Sequence, residues 1–569
     1  MFKVYRVNTK NKSVQCENFK EEYKTFGNRG LIARVMTEEV NPMCDPMGPD
    51  NKLIISTGIL AGTPVTTAHR LSVGGKSPLT GGIKESNVGG NVASLLSQQG
   101  IKMIIFEDMP DDDRWYIFKI NKNGSAELVI ADEYAGLNNY KLVEIIHDKY
   151  GKDVGVLSIG VAGERGYKNS SMQATDAITG HPVRAAARGG LGAVAGSKRI
   201  KAIIVEKPLK KFEFPYVNKQ IFDEGNKKFV STFLELDGGL KILHEAGTVG
   251  LIADATLQTG IAPVKNYSGV YLSPEKQEMT NGKAWLSAVE ANGGKHGLPC
   301  QPGCLIRCSN VYNNSKGEFI TSGLEYETYI ICGPNCNIAN IDFVAEVDRI
   351  CDDFGVDTIE IGCTLGVLMD KGIITWGDEQ AALDALKQMI EGKTELGRLM
   401  GEGTERLGKV IGAKRIPTVK GQSMAAYDPR NLKGVGVTYA TSPMGADHTA
   451  GITFVPGIDH TDKNGKVALS KSEQNFIAAA DNFMCFFAFA NGTFDQSIYP
   501  QMMKGALGVE YDLNKVLEIG TLTLKMEREW NLAAGFTKED DHLPDFFYND
   551  VSTATESVFD ITPEEMQRG

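Results

Sequence analysis

Three cysteines, Cys300, Cys304 and Cys308, lie close together in Leu298-Pro-Cys-Gln-Pro-Gly-Cys-Leu-Ile-Arg-Cys-Ser309. Thiolates at this density suit zinc or an iron–sulfur cluster, and both want four ligands, so a fourth cysteine is expected elsewhere in the chain. Cys485, in Asn482-Phe-Met-Cys-Phe-Phe487, is the candidate. Paired Cys-x2-Cys knuckles are missing, and three grouped cysteines plus a remote one is a common cluster layout, so the spacing favours a cluster over zinc; unligated buried thiols are the remaining reading. Two further residues could move protons. His448, in Gly445-Ala-Asp-His-Thr449, is one of eight histidines, a residue type that titrates near neutral pH but is usually structural or exposed. Glu327, in Gly323-Leu-Glu-Tyr-Glu327, reads by itself as a helix-start carboxylate satisfied by backbone N–H groups.

Two glycine-rich turns are candidates for anion binding. Gly74-Gly-Lys-Ser77 imitates the end of a P-loop, but the required leading glycine falls at Arg70. Arg184-Ala-Ala-Ala-Arg-Gly-Gly-Leu-Gly-Ala-Val-Ala-Gly-Ser-Lys198 is not a P-loop either; its adjacent glycines and two arginines suit a phosphate or pyrophosphate, with a tight surface turn as the alternative. Gly160-Val-Ala-Gly-Glu-Arg-Gly166 lacks the dinucleotide spacing, so no NAD or FAD is expected.

Positioning these groups takes a large scaffold. With 569 residues the chain exceeds one ordinary core, and about three to four domains are expected. Its 42% hydrophobic and 23% charged residues are ordinary for a globular protein, and 63 glycines point to many tight turns or close approaches to a ligand. A net charge of −11 argues against nucleic acid. No signal peptide and no membrane-length apolar run is visible, and ten cysteines are too sparse for a secreted disulfide scaffold, so a cytoplasmic protein without a membrane partner is expected.

Residues 1–208 carry β-like runs, Leu53-Ile-Ile-Ser56, Ile101 to Phe106, Val154 to Ile159 and Ile200 to Val205, between glycine-rich turns. Lys207 to Pro215 looks like a linker into helical pattern. Asp342 can cap a helix with apolar positions Phe343, Val347, Ile350, Cys351 and Phe354, and Gly355 is placed to end it. Residues 376–412 read as two scaffold helices, 434–445 as loop, and Ser470-x-x-Glu473 as a capping box opening a helix beside Cys485. The last thirty residues are acidic and turn-rich, as a peripheral tail would be. The expected divisions are 1–208, 209–421 and 422–569.

Several ordered blocks together resemble the tungsten-dependent aldehyde:ferredoxin oxidoreductase family: Asn51-Lys-Leu-Ile-Ile, Lys76-Ser-Pro-Leu-Thr-Gly81, Arg184 to Lys198, Gly323 to Glu327, Asp352-Asp-Phe-Gly-Val-Asp357, Ala426-Tyr-Asp-Pro-Arg430 and Tyr439-Ala-Thr441. The resemblance runs from near Val7 to about residue 535. It implies an α+β fold, with an N-terminal sheet-rich base and two mainly helical domains enclosing tungsten, or molybdenum, held by two pterins. It further implies pterin contacts at Arg70, Asn87, Gly89, Arg184, Ala185, Asp352, Val356, Asp357 and Asp481, and a [4Fe-4S] cluster on Cys300, Cys304, Cys308 and Cys485. A magnesium ion between the pterin phosphates is the remaining ion it allows. Glu327 would be the base for water and His448 the donor to a small carbonyl substrate, with electrons leaving to ferredoxin or a ferredoxin-like subunit; the assembly it allows is a homodimer.

Four departures from the family pattern stand out. The cysteines are spaced Cys-x3-Cys-x3-Cys where the family writes Cys-x2-Cys-x3-Cys. The second acidic motif is displaced by one residue, with Ala480 at the family's aspartate position and Asp481 beside it. The family's Glu-x-x-His, where two subunits share a metal, reads Glu346-Val-Asp-Arg349, so Arg349 is expected to pair with Glu346 and no metal to bridge subunits. Ala450 replaces a basic residue two positions after the active-site histidine. Aldehyde oxidation is the expected activity; the alternatives are aromatic acid or thioester reduction on the same cofactor, or a non-catalytic electron-transfer subunit. Lys295 and Arg307 are expected to face the electron carrier, and Cys332, Cys336, Cys351 and Cys363 to be ordinary buried thiols.

Overall fold

The computed structural model describes residues 1–234 and 236–568. The apolar runs of the first 208 residues become two six-stranded sheets. The first contains β1 (Lys3–Asn8), β2 (Ser13–Asn18), β3 (Leu53–Thr57), β4 (Leu71–Lys76), β5 (Ile83–Val88) and β6 (Ile101–Glu107), ordered β2-β1-β6-β3-β4-β5. The second contains β7 (Tyr116–Ile120), β8 (Ala126–Ile130), β9 (Gly155–Ser158), β10 (Met172–Ala174), β11 (Arg184–Ala186) and β12 (Ile200–Val205), ordered β11-β10-β9-β12-β7-β8. Pairing is antiparallel except β1 with β6 and β7 with β12.

The period-two alternation of each strand explains the layering. Tyr5, Val7, Leu53, Ile55, Ile104 and Phe106 point into a core shared with Phe118, Leu157, Ile203 and Val205 of the second sheet. On the opposite faces, Ile54, Met103 and Ile105 meet the helix Asn28–Glu39, and Ile117, Val156, Ala202 and Ile204 meet the helix Asn139–Tyr150. The result is a four-layer unit in which each sheet is covered on both sides.

Beyond residue 208 the chain is mainly helical, apart from a two-residue antiparallel ladder of Thr418–Val419 with Gln422–Ser423 and a three-stranded sheet of β13 (Lys295–Leu298), β14 (Ser309–Asn313) and β15 (Phe319–Ser322), which brackets the cysteine loop and which the helical pattern concealed. Among the described residues no helix is long and apolar enough to cross a membrane.

Several local expectations are corrected. The helix Ile341–Phe354 is capped by Asn340, whose side chain accepts the N–H groups of Asp342 and Phe343; Asp342 instead accepts the hydroxyl of Tyr312 at 2.7 Å. Gly355 ends that helix in the left-handed region at φ 83°. Ser470 opens nothing: the helix Lys466–Phe483 begins a turn earlier, after Gly465 at φ 74°, and Ser470 Oγ lies 2.7 Å from Thr438 Oγ1 inside it. Residues 376–412 contain three helices, Glu379–Glu391, Glu395–Gly401 and Thr404–Val410. Lys433–Thr441 is a helix despite its glycines, which serve close packing: a Cβ at Gly434 or Gly436 would run into Thr453 or Phe559 at 2.5 and 2.4 Å. The acidic tail is not peripheral: Leu543, Phe547, Phe559, Ile561 and Met566 are buried in the main helical core. Arg349 ignores Glu346, donating to the carbonyl of Ile320 at 3.1 Å and lying over the ring of Tyr140.

Candidate active site

Fourteen of the fifteen site residues expected from the sequence, all but Cys304, line one cavity of about 580 Å³ between the sheets and the helices. Cys304 is buried behind it, hydrogen-bonded through its thiol to Cys300. The antiparallel register Leu71↔Val88 and Ser72↔Asn87 sets Arg70 opposite Gly89 and lets its guanidinium donate to Asn87 Oδ1. The cysteine loop is tied to the end of β5 by the Gly90 N–H, which donates to the Cys300 carbonyl at 2.8 Å. A Cβ at Gly89 would sit 2.9 Å from that carbonyl oxygen, so this approach requires glycine.

Hydrogen bonding from Cys304, with Arg70 and Arg184 nearby, holds the Cys300 thiol below its ordinary value; burial pushes Cys308 and Cys485 above theirs. Arg70 is the positive group that feels Cys485, Cys300 and Cys308 together. No set of three or more His, Cys, Asp or Glu side chains among the described residues converges as a single ion requires. Cys332, Cys336, Cys351 and Cys363 are fully buried, with thiols pushed up by burial.

The anion cradle expected at Arg184 to Lys198 is only half formed. Arg184 pairs with Asp176 at 2.7 Å and Arg188 with Asp357 at 3.3 Å, and both arginines line the cavity. The glycines do not form an open nest, because a Cβ at Gly189 would strike the Lys84 side chain at 2.4 Å and one at Gly190 the Lys168 carbonyl at 2.3 Å. Lys198 points away, donating to the Asp108 carbonyl at 3.0 Å.

The proton-moving pair is in contact. His448 Nε2 is 3.1 Å from Glu327 Oε1, and the Tyr427 hydroxyl donates to the same oxygen at 2.8 Å. Glu327 is in the first turn of the helix Tyr326–Cys332, and His448 begins a short 3-10 turn capped by Asp447. Burial raises the Glu327 carboxyl, but the charge and hydrogen bond of His448 and the bond from Tyr427 outweigh it, leaving it below its ordinary value. His448 Nδ1 has no hydrogen-bond partner. Asp447 is held ionised against burial by Lys84 at 2.7 Å and Arg188 at 3.8 Å.

Other buried carboxyls line the same cavity and titrate high. Burial and the Asp481 charge push Glu85 to about 8; burial pushes Glu325 and Asp348 each to about 7, and Asp481 to about 6 against the pull of Arg29. Burial and Asp348 push Asp352 well above the carboxylate range. Asp357 caps the helix Thr358–Asp370 through the Ile359 N–H at 2.9 Å. Val356 is pinned by a β-bridge to Ser170. Tyr427 and Asp447 could have been noticed, one inside the block 426–430 and the other beside His448; nothing in the sequence points to Glu85, Arg29, Asp348 or Lys84.

Comparison with known proteins gives the site a context. A family model described as the aldehyde ferredoxin oxidoreductase N-terminal domain matches residues 4–207, and one described as domains 2 and 3 of aldehyde ferredoxin oxidoreductase matches 225–568. The tungsten-containing aldehyde ferredoxin oxidoreductase of Pyrococcus furiosus is 32% identical over 95% of this chain and 90% of its own. The WOR-like subunit of an aliphatic sulfonate oxidoreductase from the same organism is 26% identical over 75% of this chain and 71% of its own. In fold, the active-site complex BamBC of benzoyl coenzyme A reductase superposes with a TM-score of 0.80 at 18% identity, covering 99% of this chain and 92% of that one.

Proposed function

Because the chain belongs to the aldehyde ferredoxin oxidoreductase family, we propose that this oxidoreductase converts an aldehyde and water to the carboxylic acid, releasing two protons and two electrons. The electrons leave through a [4Fe-4S] cluster on Cys300, Cys304, Cys308 and Cys485 to ferredoxin or a ferredoxin-like subunit. A tungsten or molybdenum centre on two pterins supplies the two-electron redox chemistry when bound. The donor set fits those groups. Asp352, Asp357 and Asp481 offer acceptors to pterin ring N–H groups, Arg70 and Arg184 offer charge and donors, and Gly89 leaves room where a side chain would collide with the cysteine loop. Asn87, Ala185 and Val356 complete the contact surface.

The observation that carries the reading is the Glu327–His448 contact, braced by Tyr427, in a cavity that the cysteines also line. Before substrate enters, His448 Nε2 lies within hydrogen-bond distance of Glu327 Oε1, at 3.1 Å. A carbonyl oxygen entering at His448 takes over the Nε2–H and gains a donor as negative charge develops there. Glu327 is then free to accept the proton of the attacking water, with Tyr427 keeping the carboxylate oriented. The partly buried position of the pair reduces screening of both interactions by bulk water.

Anaerobically purified protein tests this directly. Tungsten or molybdenum at about one per chain and iron at about four are expected, with aldehyde-dependent reduction of ferredoxin or a viologen dye. Full metal content without any aldehyde-dependent reduction would overturn the proposal.

A further inference from the structure

A second cavity, of about 550 Å³, shares no described lining residue with the active-site cavity, and its size falls within the roughly 300–1,000 Å³ usual for small-molecule sites. Helical spacing builds its walls. Val467, Lys471 and Gln474 recur every three or four residues on the helix Lys466–Phe483, as do Thr521, Lys525, Arg528 and Leu532 on the helix Leu513–Ala533. Val437 lines it from the helix Lys433–Thr441 and Met566 from the last helix, Pro563–Arg568; with Leu524 they are buried and give the cavity an apolar floor.

Its charge is opposite in sign to that of the active site. Five cationic side chains and two carboxylates line it among the described residues, whereas four arginines and eight carboxyl groups line the active-site cavity, and the chain as a whole carries −11. Two of the five cations serve the fold. Lys420 donates to the Ala440 carbonyl at 2.5 Å and pairs with Asp541 at 2.6 Å, and Arg528 donates to the Thr441 carbonyl at 2.7 Å. Together they answer the negative C-terminal end of the helix Lys433–Thr441. Lys525 and Lys538, from separate elements, join Lys471 as exposed side chains of the same cavity. With Asp541 engaged by Lys420, the lining carboxylate left to face them is Glu529, 3.9 Å from Lys525 on its own helix. Like charges gathered beside an apolar floor repel one another, and a bound anion relieves that repulsion.

We propose that this cavity binds a small amphiphilic anion, an apolar chain carrying a phosphate or carboxylate head. The chain lies on Val437, Leu524 and Met566, and the head is met by Arg528, Lys525 and Lys538. The site is independent of the reaction proposed above.

Calorimetry on the anaerobically purified enzyme at low ionic strength tests this with octyl phosphate, octanoate, octanol and inorganic phosphate. At least one of the two amphiphilic anions should bind once per chain and at least about tenfold more tightly than octanol or inorganic phosphate, and the tighter of the two identifies the head. Shortening its chain should weaken binding by up to roughly fourfold per methylene. Lys525→Glu combined with Lys538→Glu, both at exposed positions, should weaken it about tenfold or more. Thr521→Trp, which fills the cavity from an exposed position without changing charge, should also weaken it. Glu327→Gln, in the other cavity, should leave it unchanged. Absence of binding by both anions, equal binding of octanol, or parent-level binding in the double lysine variant or in Thr521→Trp would overturn the proposal. Loss of binding in Glu327→Gln would place the anion in the active-site cavity and overturn it equally.

Discussion

Glu327→Gln separates the chemistry of the site from its shape. His448 and Tyr427 both address the same oxygen, Oε1 of Glu327. A glutamine can therefore keep both contacts on its amide oxygen and lose only the second oxygen and the charge. The structural cost is the weakening of charge-assisted hydrogen bonds to neutral ones, about 1–2 kcal/mol, which a chain of this size tolerates. The kinetic cost is larger, because a positioned base contributes about 100- to 10,000-fold, equivalent to roughly 2.7–5.4 kcal/mol of barrier. The assay is aldehyde-dependent dye reduction under anaerobic conditions, with metal and iron quantified in the same preparation. The pH profile gives a second readout. The folded Glu327 carboxyl lies below its ordinary 4.5, so the parent enzyme's acid limb should fall below that pH as the base is protonated. In the glutamine variant the residual activity should show no such limb. Parent-level turnover in a fully metal-loaded Glu327→Gln protein would refute the reasoning and return the carboxylate to a structural role.

Cys485→Ala should remove the cluster or sharply change its paramagnetic signal, whereas Cys336→Ala should leave iron content unchanged; iron analysis and electron paramagnetic resonance decide both. Lys84→Met should cost about 3–5 kcal/mol in denaturant unfolding, because it removes the closest cation of the buried Asp447 and leaves Arg188, at 3.8 Å, as its remaining guanidinium or ammonium partner. The folded pKa of Asp447 is depressed, so its contribution to stability is present above the ordinary 3.8 and is lost as pH falls toward the folded value. Acid destabilisation should accordingly be shallower in Lys84→Met, and an unchanged slope would count against the pairing. If the protein forms a homodimer, it should survive chelators in analytical ultracentrifugation, because Arg349 is not a metal ligand and is occupied with Tyr140 and Ile320. Lys295 and Arg307 are exposed at the cysteine loop, so Lys295→Glu with Arg307→Glu should slow ferredoxin reduction at low salt and leave dye reduction intact.

The parts of the fold legible in the sequence are those where local pattern and tertiary role agree. The strand runs at 53–57, 101–107 and 200–205 are β-branched and apolar, and each is buried in a two-sided sheet. Where burial depends on partners distant in sequence, the pattern misleads. The tail at 543–566 is acidic on average, yet its few apolar residues fill the main core, and Gly434 and Gly436 look like loop glycines but make room for Thr453 and Phe559. At the site, residue type singled out the cysteines, and the resemblance of the ordered blocks singled out Glu327 and His448. Tyr427, Lys84 and Glu85 act through contacts across 100, 363 and 13 residues of sequence, which no spacing rule encodes.

The displaced carboxylate at 481 shows how such a contact can be rebuilt. Successive residues on a helix differ by about 100° in direction, so moving an aspartate by one position ordinarily turns it away from its target. Here Ala480 faces the core beside Phe483, and Asp481 faces the cavity. Two features make this workable. The helix stops at Phe483 and Met484 is extended at φ −169°, so Cys485 reaches the same cavity. Arg29, buried at the start of the first long helix, then grips Asp481 at 3.1 Å with one nitrogen while donating to Glu527 at 2.8 Å with two others. One guanidinium thus ties the N-terminal unit to two C-terminal helices and fixes the direction of the carboxylate. The orientation of Asp481 is therefore a property of how the sheet unit and the last helices pack together, which a motif confined to residues 480–485 cannot contain.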